Sequence, residues 1–351
     1  MTPTEAMSLP SRSLRLDVDT EALVHNWNVL DALSGQACTG AAVKANAYGL
    51  GIDFAVPALR KAGCRAFFVA HWSEVADVLA HAAPQEISVL HGPLGADDAA
   101  YAKATGVRPV INSLHQARVW LDAGGGACDL MVDTGMNRLG LPMAEWGDPL
   151  LARLDVEILM SHLACADEDS PRNAAQQTRF AEACALLPAR QRSLANSAGV
   201  ALGPHYGFDL TRPGLSLYGG VQRPELAGSI RQVVRPAAAI LQVRHIAAGD
   251  SVGYNATFTA CRPMRIAMVS MGYADGYLRA WTGKGWLEHD GRKLPLLGLV
   301  SMDMVAVDLE GAPDLREGDW LEVPYDLPDA ARQSGLSQYE LLTLLGARFQ
   351  R

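Results

Sequence analysis

Between residue 13 and about residue 220, short runs of branched apolar residues alternate with helix-compatible stretches. The runs are Thr39–Lys44, Ala66–Ala70, Ile87–His91, Arg108–Asn112, Asp129–Asp133, Glu157–His162, Ser193–Asn196 and Arg212–Tyr218. The helix-like segments include Thr20–Leu33, with Asp19 or Thr20 as cap, and Ser73–His81, with Glu74 and Asp77 in its opening turn. Ser113–Ala123 opens on Ser113, and Pro171–Leu187 has Pro171 just inside its start. Alternation of this kind predicts a parallel sheet covered by helices. Eight strands within about 200 residues suit a (β/α)8 TIM-type barrel better than an open doubly wound sheet.

Past residue 230 the texture changes. Ala237–His245, Met264–Met271, Lys293–Leu297, Met304–Leu309 and Trp320–Val323 are strand-like runs parted by Gly, Pro and Asp turns. Helical periodicity returns only at Ser337–Leu345. The predicted organisation is a loose tail over 1–12, the α/β barrel over 13–232 and a mainly-β domain over 233–351. The boundary is expected near Arg231–Pro236. Ser13–Val18 alternates Leu14, Leu16 and Val18, and suits either a barrel lead-in or a strand lent to the β domain.

Composition narrows the function. With 49% hydrophobic and 19% charged residues among 351, the chain is too apolar to be disordered. A net charge of −8 lacks the basic footprint of a nucleic-acid binder. The chain has no uncharged apolar run of membrane-spanning length (~18 residues), and its first residues lack a signal peptide's pattern. A cytoplasmic enzyme with a small-molecule substrate is expected, with neither nucleic acid nor membrane as partner. The six cysteines show no CxxC pair or zinc spacing and read as structural thiols, so no metal site is assigned. Neither GxGxxG nor GxxxxGK[ST] occurs, which removes the best support for nicotinamide or nucleoside-triphosphate chemistry.

A barrel enzyme of this type works at the C-terminal ends of its strands. Those ends carry Lys44, Asp133 and Arg138, His162, Asn196 and Ser197, then Arg212 and Gly214. Singly, each has an ordinary structural reading: a solvated lysine, a hydrogen-bonded histidine, a turn. Their placement at corresponding points of successive repeats is what suggests chemistry. The loops after strands seven and eight often hold a phosphate, and here they offer a hydroxyl, small side chains and open backbone N–H groups. A lysine across the mouth could form a Schiff base with an aldehyde. Phosphate plus lysine imine points to pyridoxal 5′-phosphate.

AVKANAYGLG, VDTGMNRLG, SHLACADE, NSAG, RPGLSLYG, VGYNATF, GYADGY and SMDM, spread over about residues 40–304, together resemble the alanine racemase family of fold-type III pyridoxal phosphate enzymes. The resemblance implies that Lys44 holds the cofactor and serves as one base. Tyr254, from the partner subunit of a homodimer with shared active sites, would be the opposite base. It further implies that Tyr48, Asn196, Ser197, Gly214 and Leu215 hold the phosphate end, that His162 lies against the pyridine ring, and that Arg212 faces its nitrogen. Arg138, Met302 and Asp303 would meet the substrate.

These residue types suit racemisation, which needs a base on each face of a planar carbanion. A phenol with a reference pKa of ~10 needs positive neighbours to act near neutrality, and His162 and Arg212 are the candidates. Arg212 can only donate, so a ring nitrogen facing it should stay unprotonated, which limits transamination.

Two departures from the family pattern stand out. Many members carry a carbamylated lysine two residues before the DTGM aspartate; here Met131 stands there, leaving Arg138 to an anion or Asn137. Members also commonly have a C-terminal tyrosine that reaches the phosphate, whereas the last tyrosine here is Tyr339. The rival readings are a broad-specificity racemase, with Tyr273, Met302 and the Trp281 region narrowing its entrance, a fold-type III amino-acid decarboxylase, and a non-catalytic pyridoxal phosphate carrier. The paired VGYNATF and SMDM motifs speak against the decarboxylase, and the region after residue 231 speaks against the carrier.

Overall fold

The computed structural model describes residues 10–350. Two compact units emerge, one spanning Thr20–Val233 and the other joining the N-terminal stretch through Asp19 to Val234 and beyond.

In the first unit, seven parallel strands follow one another around the sheet: Ala41–Ala42, Phe67–Val69, Ile87–Val89, Arg108–Ile111, Ala127–Met131, Asp155–Met160 and Gln191–Ser193. An eighth, Leu210–Thr211, pairs parallel with Cys38–Thr39 on one side. On the other, Asp209 N–H donates to Arg192 O (3.0 Å) and Arg212 N–H to Ala195 O (2.8 Å). The ring is thereby closed, and the (β/α)8 reading holds. The first strand divides at Gly40, where a Cβ would lie 2.9 Å from the Ala66 carbonyl oxygen.

Five expected strands shift, Asp129–Asp133 to Ala127–Met131 and Glu157–His162 to Asp155–Met160 among them. Thr39–Lys44 ends at Ala42, and Ser193–Asn196 becomes Gln191–Ser193. Arg212–Tyr218 is not a strand; Leu210–Thr211 is, and Leu215–Tyr218 is a tight helical turn. Pro213 has no N–H for a ladder, so its apolar neighbours leave the sheet.

The helices cover the ring as their patterns predict. Thr20–Ser34 buries Ala22, Leu23, Asn26, Trp27 and Leu30 at helical spacing. Its buried Asn26 is fully used: Nδ2 donates to Leu217 O (3.1 Å) and Arg231 O (2.9 Å), and Oδ1 accepts from Arg231 N–H (2.7 Å). Ser113 caps Leu114–Asp122 by accepting from Gln116 N–H. The expected Pro171–Leu187 helix is present as Pro171–Leu186, capped by Ser170, and Ile52–Ala62 and Ala96–Thr105 complete the larger helices. Phe68, Val110, Met131, Ile158, Met160 and Leu210, from five strands, pack as one apolar layer. Near it, fully buried Asp129 accepts from Ser88 Oγ (2.6 Å) and Arg108 Nε (3.1 Å).

The second unit is an antiparallel sheet in the order Leu14–Val18, Val234–Ile246, Met264–Val269, Val305–Asp308, Arg292–Leu297, Trp286–His289, Trp320–Glu322, whose last strand pairs back onto Val234–Ile246. The 13-residue strand Val234–Ile246 bends at an irregularity between Ile240 and Gln242 and so borders three partners. Leu14–Val18, counted above within residues 13–232 but suited to either unit, pairs antiparallel with Ala238–Val234 and so is the strand lent to the β unit. Sequence periodicity passed over Trp286–His289 and the helix Leu327–Ser334. Of the expected loose tail, residues 1–9 lie outside the described residues, while Arg12 donates to the Ala347 and Phe349 carbonyls (both 2.8 Å).

Asp129→Ala leaves Arg108 beside an emptied buried acceptor. Breaking such a pair costs about 3–5 kcal/mol, so urea denaturation should show a loss of that order, largely avoided in a variant that replaces both partners with apolar residues.

Candidate active site

Lys44 follows the first strand and is partly buried. Burial lowers its pKa, the Arg138 charge lowers it further, and Glu74 opposes both. A larger share of the amine is therefore neutral, and so nucleophilic, than in a solvated lysine. The next four residues, Ala45 to Tyr48, turn left-handed. Tyr48 ends that turn, its ring stacked on Tyr218 at 4.7 Å, and the Tyr218 hydroxyl donates to Ala42 O (2.9 Å).

Facing Tyr48 is Gly214. A Cβ there would lie 2.3 Å from the Tyr48 hydroxyl and 3.3 Å from the Ala42 Cβ, so only glycine lets the two loops meet. Ser197 Oγ accepts from Gly214 N–H (2.9 Å) and Ser216 N–H (3.2 Å), which leaves its own O–H to donate. Asn196 does not project into this group through its carbonyl oxygen; Oδ1 caps the following turn by accepting from Gly199 N–H (2.8 Å). Leu215 is buried and opens the Leu215–Tyr218 turn. Hydroxyls and backbone N–H groups thus gather in one small cradle suited to an oxyanion.

Arg212 is buried, donating to the Ser161 carbonyl (2.5 Å) and to Ser193 Oγ. Burial depresses it to about 10, and Asp129 works the other way, so it stays charged at neutral pH. His162 is depressed to about 3, by burial first and then by Arg212, Arg138 and Lys44. This corrects one expectation. His162 is neutral near pH 7 and cannot be a positive neighbour for a phenolate; Arg212 alone of that pair keeps its charge.

Arg138 is exposed, and its guanidinium has no hydrogen-bond or ion-pair partner among the described residues. Its loop, however, is fixed. The Asp133 carboxylate accepts N–H bonds from Gly135 (2.8 Å), Met136 (2.9 Å) and Asn137 (3.0 Å), with Asn137 at φ 57°. Asp133 thus holds the backbone of this loop, neither an anion nor Asn137 holds the Arg138 guanidinium among the described residues, and Met131 is spent on the apolar layer.

Three buried residues went unnoticed at the sequence level. Gln176 Nε2 donates to Thr134 Oγ1 (3.2 Å) and the His162 carbonyl (3.0 Å), its Oε1 accepts from Ala164 N–H (2.9 Å), and Thr134 Oγ1 lies 2.8 Å from Ser161 Oγ. This network ties the loops bearing Arg138 and His162. Gln176 carried no signal beyond its place in a helix. Glu74, which touches the Lys44 turn, and the His71–His91 pair, with ring centroids 4.2 Å apart, were also missed.

The second unit holds the remaining named residues. Tyr254 is 65% exposed at the tip of the Ser251–Val252/Phe258–Thr259 hairpin, flanked by Gly253 (φ 76°) and Asn255 (φ 61°). Met302 is 51% exposed. The GYADGY and SMDM loops interlock: Ala274 N–H donates to Met302 O (3.1 Å), and a Cβ on Gly272 would lie 2.4 Å from that oxygen. Arg348 binds both, through Asp275 (2.7 Å) and Asp303 (2.6 Å), so the Asp303 carboxylate already has a cation. Trp281 is buried and stacked on Tyr277 at 5.0 Å, which removes it from any entrance.

His162 generates a pH dependence. Its folded value of about 3 lies below the ordinary 6.5. As pH falls through that window the unfolded chain takes up a proton that the folded chain refuses, so stability falls by as much as ~1.4 kcal/mol per pH unit. Urea midpoints across that range should fall more steeply for the wild-type chain than for His162→Gln.

Comparison with known proteins agrees with this architecture. Residues 18–222 match the family model "Alanine racemase, N-terminal domain", and residues 233–351 match "Alanine racemase, C-terminal domain". The alanine racemase of Acidiphilium cryptum is 41% identical over 350 residues, covering 96% of this chain and 97% of that protein. The biosynthetic alanine racemase of Agrobacterium fabrum is 40% identical over 366 residues, covering 96% and 93%. Among solved structures, the Bartonella henselae alanine racemase with covalently bound pyridoxal phosphate superposes with a TM-score of 0.89 at 34% identity, covering 97% of this chain and 99% of that one. The biosynthetic enzyme of Pseudomonas aeruginosa gives 0.88 at 37%, with the same coverage. Barrel, β unit and motifs fall together over nearly the whole length, and the chain belongs to the alanine racemase family.

Proposed function

We propose that this chain is a pyridoxal 5′-phosphate-dependent alanine racemase that interconverts L- and D-alanine with Lys44 and Tyr254 as its two bases. The observation that carries this reading is the desolvated Lys44 amine beside the Tyr48–Ser197–Gly214 cradle. The residues fit the cofactor. Gly214 brings its bare backbone against the Tyr48 hydroxyl, the Ser197 O–H remains available, and Ser216 Oγ is buried with no hydrogen-bond partner among the described residues.

Lys44 would hold the cofactor covalently, with Tyr48, Ser197, Gly214 and Leu215 around its phosphate. When bound, pyridoxal phosphate supplies an electron sink that stabilises negative charge at the substrate α-carbon. Lys44 Nζ takes or returns the α-proton on one face, and the phenol oxygen of the partner subunit's Tyr254 does so on the other. Arg212, a donor only, would face the ring nitrogen and supply positive charge there. His162 acts as a neutral imidazole. Arg138, unpaired among the described residues, offers its guanidinium to the substrate carboxylate.

Sharing of sites within a homodimer is supported by the exposure of Tyr254 and Met302, large side chains that a second copy would cover. A cytoplasmic setting is supported by six cysteines that form no disulfide. No helix among the described residues is long and apolar enough to cross a membrane.

Borohydride trapping should place a pyridoxyl group on Lys44 and fail in Lys44→Ala; trapping at another lysine defeats the assignment. Tyr254→Phe should lower kcat by about 10²–10⁴-fold yet keep its cofactor. Co-refolding the two inactive variants should restore part of the activity if sites are shared, and verified mixed dimers without activity would argue against sharing. Turnover of a panel of L-amino acids, scored for the D-form and for CO2, separates alanine specificity from broader racemisation and from decarboxylation.

A further inference from the structure

Ala45, Asn46, Ala47 and Tyr48 sit at φ 53°, 54°, 53° and 55°. The left-handed helical region is costly for an L-residue, so four in a row persist only where the surroundings over-determine them. Part of the hold is local. Ala47 N–H donates to Val43 O (2.8 Å), Gly49 N–H to Ala45 O (2.8 Å), and Ile52 N–H to Asn46 Oδ1 (3.0 Å).

The rest comes from Glu74. One carboxylate oxygen accepts the N–H of Ala45, the first left-handed residue and the chain neighbour of Lys44. The other accepts from Ala70 N–H (2.7 Å) and His71 N–H (2.9 Å), where the chain leaves the Phe67–Val69 strand. One side chain thus fastens the Lys44 turn to the end of the adjacent barrel strand. A carboxylate taking three backbone N–H groups is held in both position and direction. It is also the anion beside Lys44. Arg138 opposes it there, and the Lys44 charge is felt in turn by His91 and His162, with His71 packed against His91.

Resting on the reading of Lys44 as the cofactor's attachment point, we propose that Glu74 is a positioning residue for Lys44: its carboxylate holds the left-handed turn that orients the amine and sets the negative charge beside it. Nothing in this role requires Glu74 to touch cofactor or substrate.

The test separates reach from charge. Cofactor-stripped wild-type chain, Glu74→Asp and Glu74→Gln are mixed with pyridoxal 5′-phosphate across a pH series and quenched with borohydride, and the pyridoxyl group on Lys44 is quantified by peptide mass spectrometry. Glu74→Asp keeps the charge but cannot span both strand ends; trapping at its plateau should slow at least tenfold with the pH midpoint unchanged. Glu74→Gln removes the charge; its midpoint should move to lower pH, because the amine then surrenders its proton more readily. Wild-type trapping rates in Glu74→Asp, or a wild-type midpoint in Glu74→Gln, would overturn the proposal. Circular-dichroism melting identifies a variant that has not folded, and the other then decides. If the wild-type chain takes no pyridoxyl group on Lys44, the attachment reading fails first, and this proposal falls with it.

Discussion

The N–H of Ala42 donates to the carbonyl of Pro213 at 2.8 Å, and Gly40 makes the matching bond to Thr211 at 2.9 Å. Through these contacts the last barrel strand returns to the first. Proline can accept in a ladder but not donate, so the pairing stops there and both chains turn away. The first carries Lys44 and Tyr48 into a left-handed turn; the last carries Gly214 to Ser216 into a helical one. Residues about 170 positions apart become neighbours because the ring closes at this seam. An open sheet with the same strands would leave the amine and the oxyanion cradle on opposite edges.

Electrostatics at the mouth follow from that convergence. His162 feels burial and then the charges of Arg212, Arg138 and Lys44, Lys44 feels burial and then the charge of Arg138, and the opposing anions are Glu74 for Lys44 and Asp129 for Arg212. The conflict is resolved by different means at each group. His162 gives up its proton, Lys44 gives it up more readily than usual, and Arg212 keeps its charge by spending its N–H groups on Ser161 and Ser193. Such a cluster adds nothing to folding stability on its own. It is carried by the apolar layers below it, in the way that functional sites commonly draw on stability supplied elsewhere.

Legibility in the sequence tracked how local each cause was. The central barrel strands are buried on both faces, so they read directly as short branched runs. Leu210–Thr211 was misplaced because RPGLSLYG is just as apolar, and only the backbone chemistry of Pro213 separates ladder from turn. The strand ends that carry Lys44, His162 and Arg212 could be read from alternation and the barrel rule. The charge on His162 could not, since it depends first on burial and then on three cations brought from elsewhere in the ring. Glu74 looked like an ordinary acidic residue at a helix start because its partners are backbone groups, which a sequence does not distinguish. Trp281 looked like a free aromatic until its stacking on Tyr277 was seen.

The strand Leu14–Val18 belongs to the β unit, yet its other strands begin only at Val234. The barrel is thus an insertion between the first strand of that unit and the rest. During synthesis the N-terminal strand emerges first and waits, unpaired, while more than half the chain is made. Its alternating pattern, with Leu14 and Leu16 destined for burial, is a pairing edge exposed throughout that interval. The barrel can complete itself in the meantime, since all its strands precede Val234. The connectivity therefore sets what can pair when: the β unit, whose hairpin carries Tyr254, can close only after the barrel's strands have been made, and the pairing of its first strand with Val234–Ile246 spans the whole barrel.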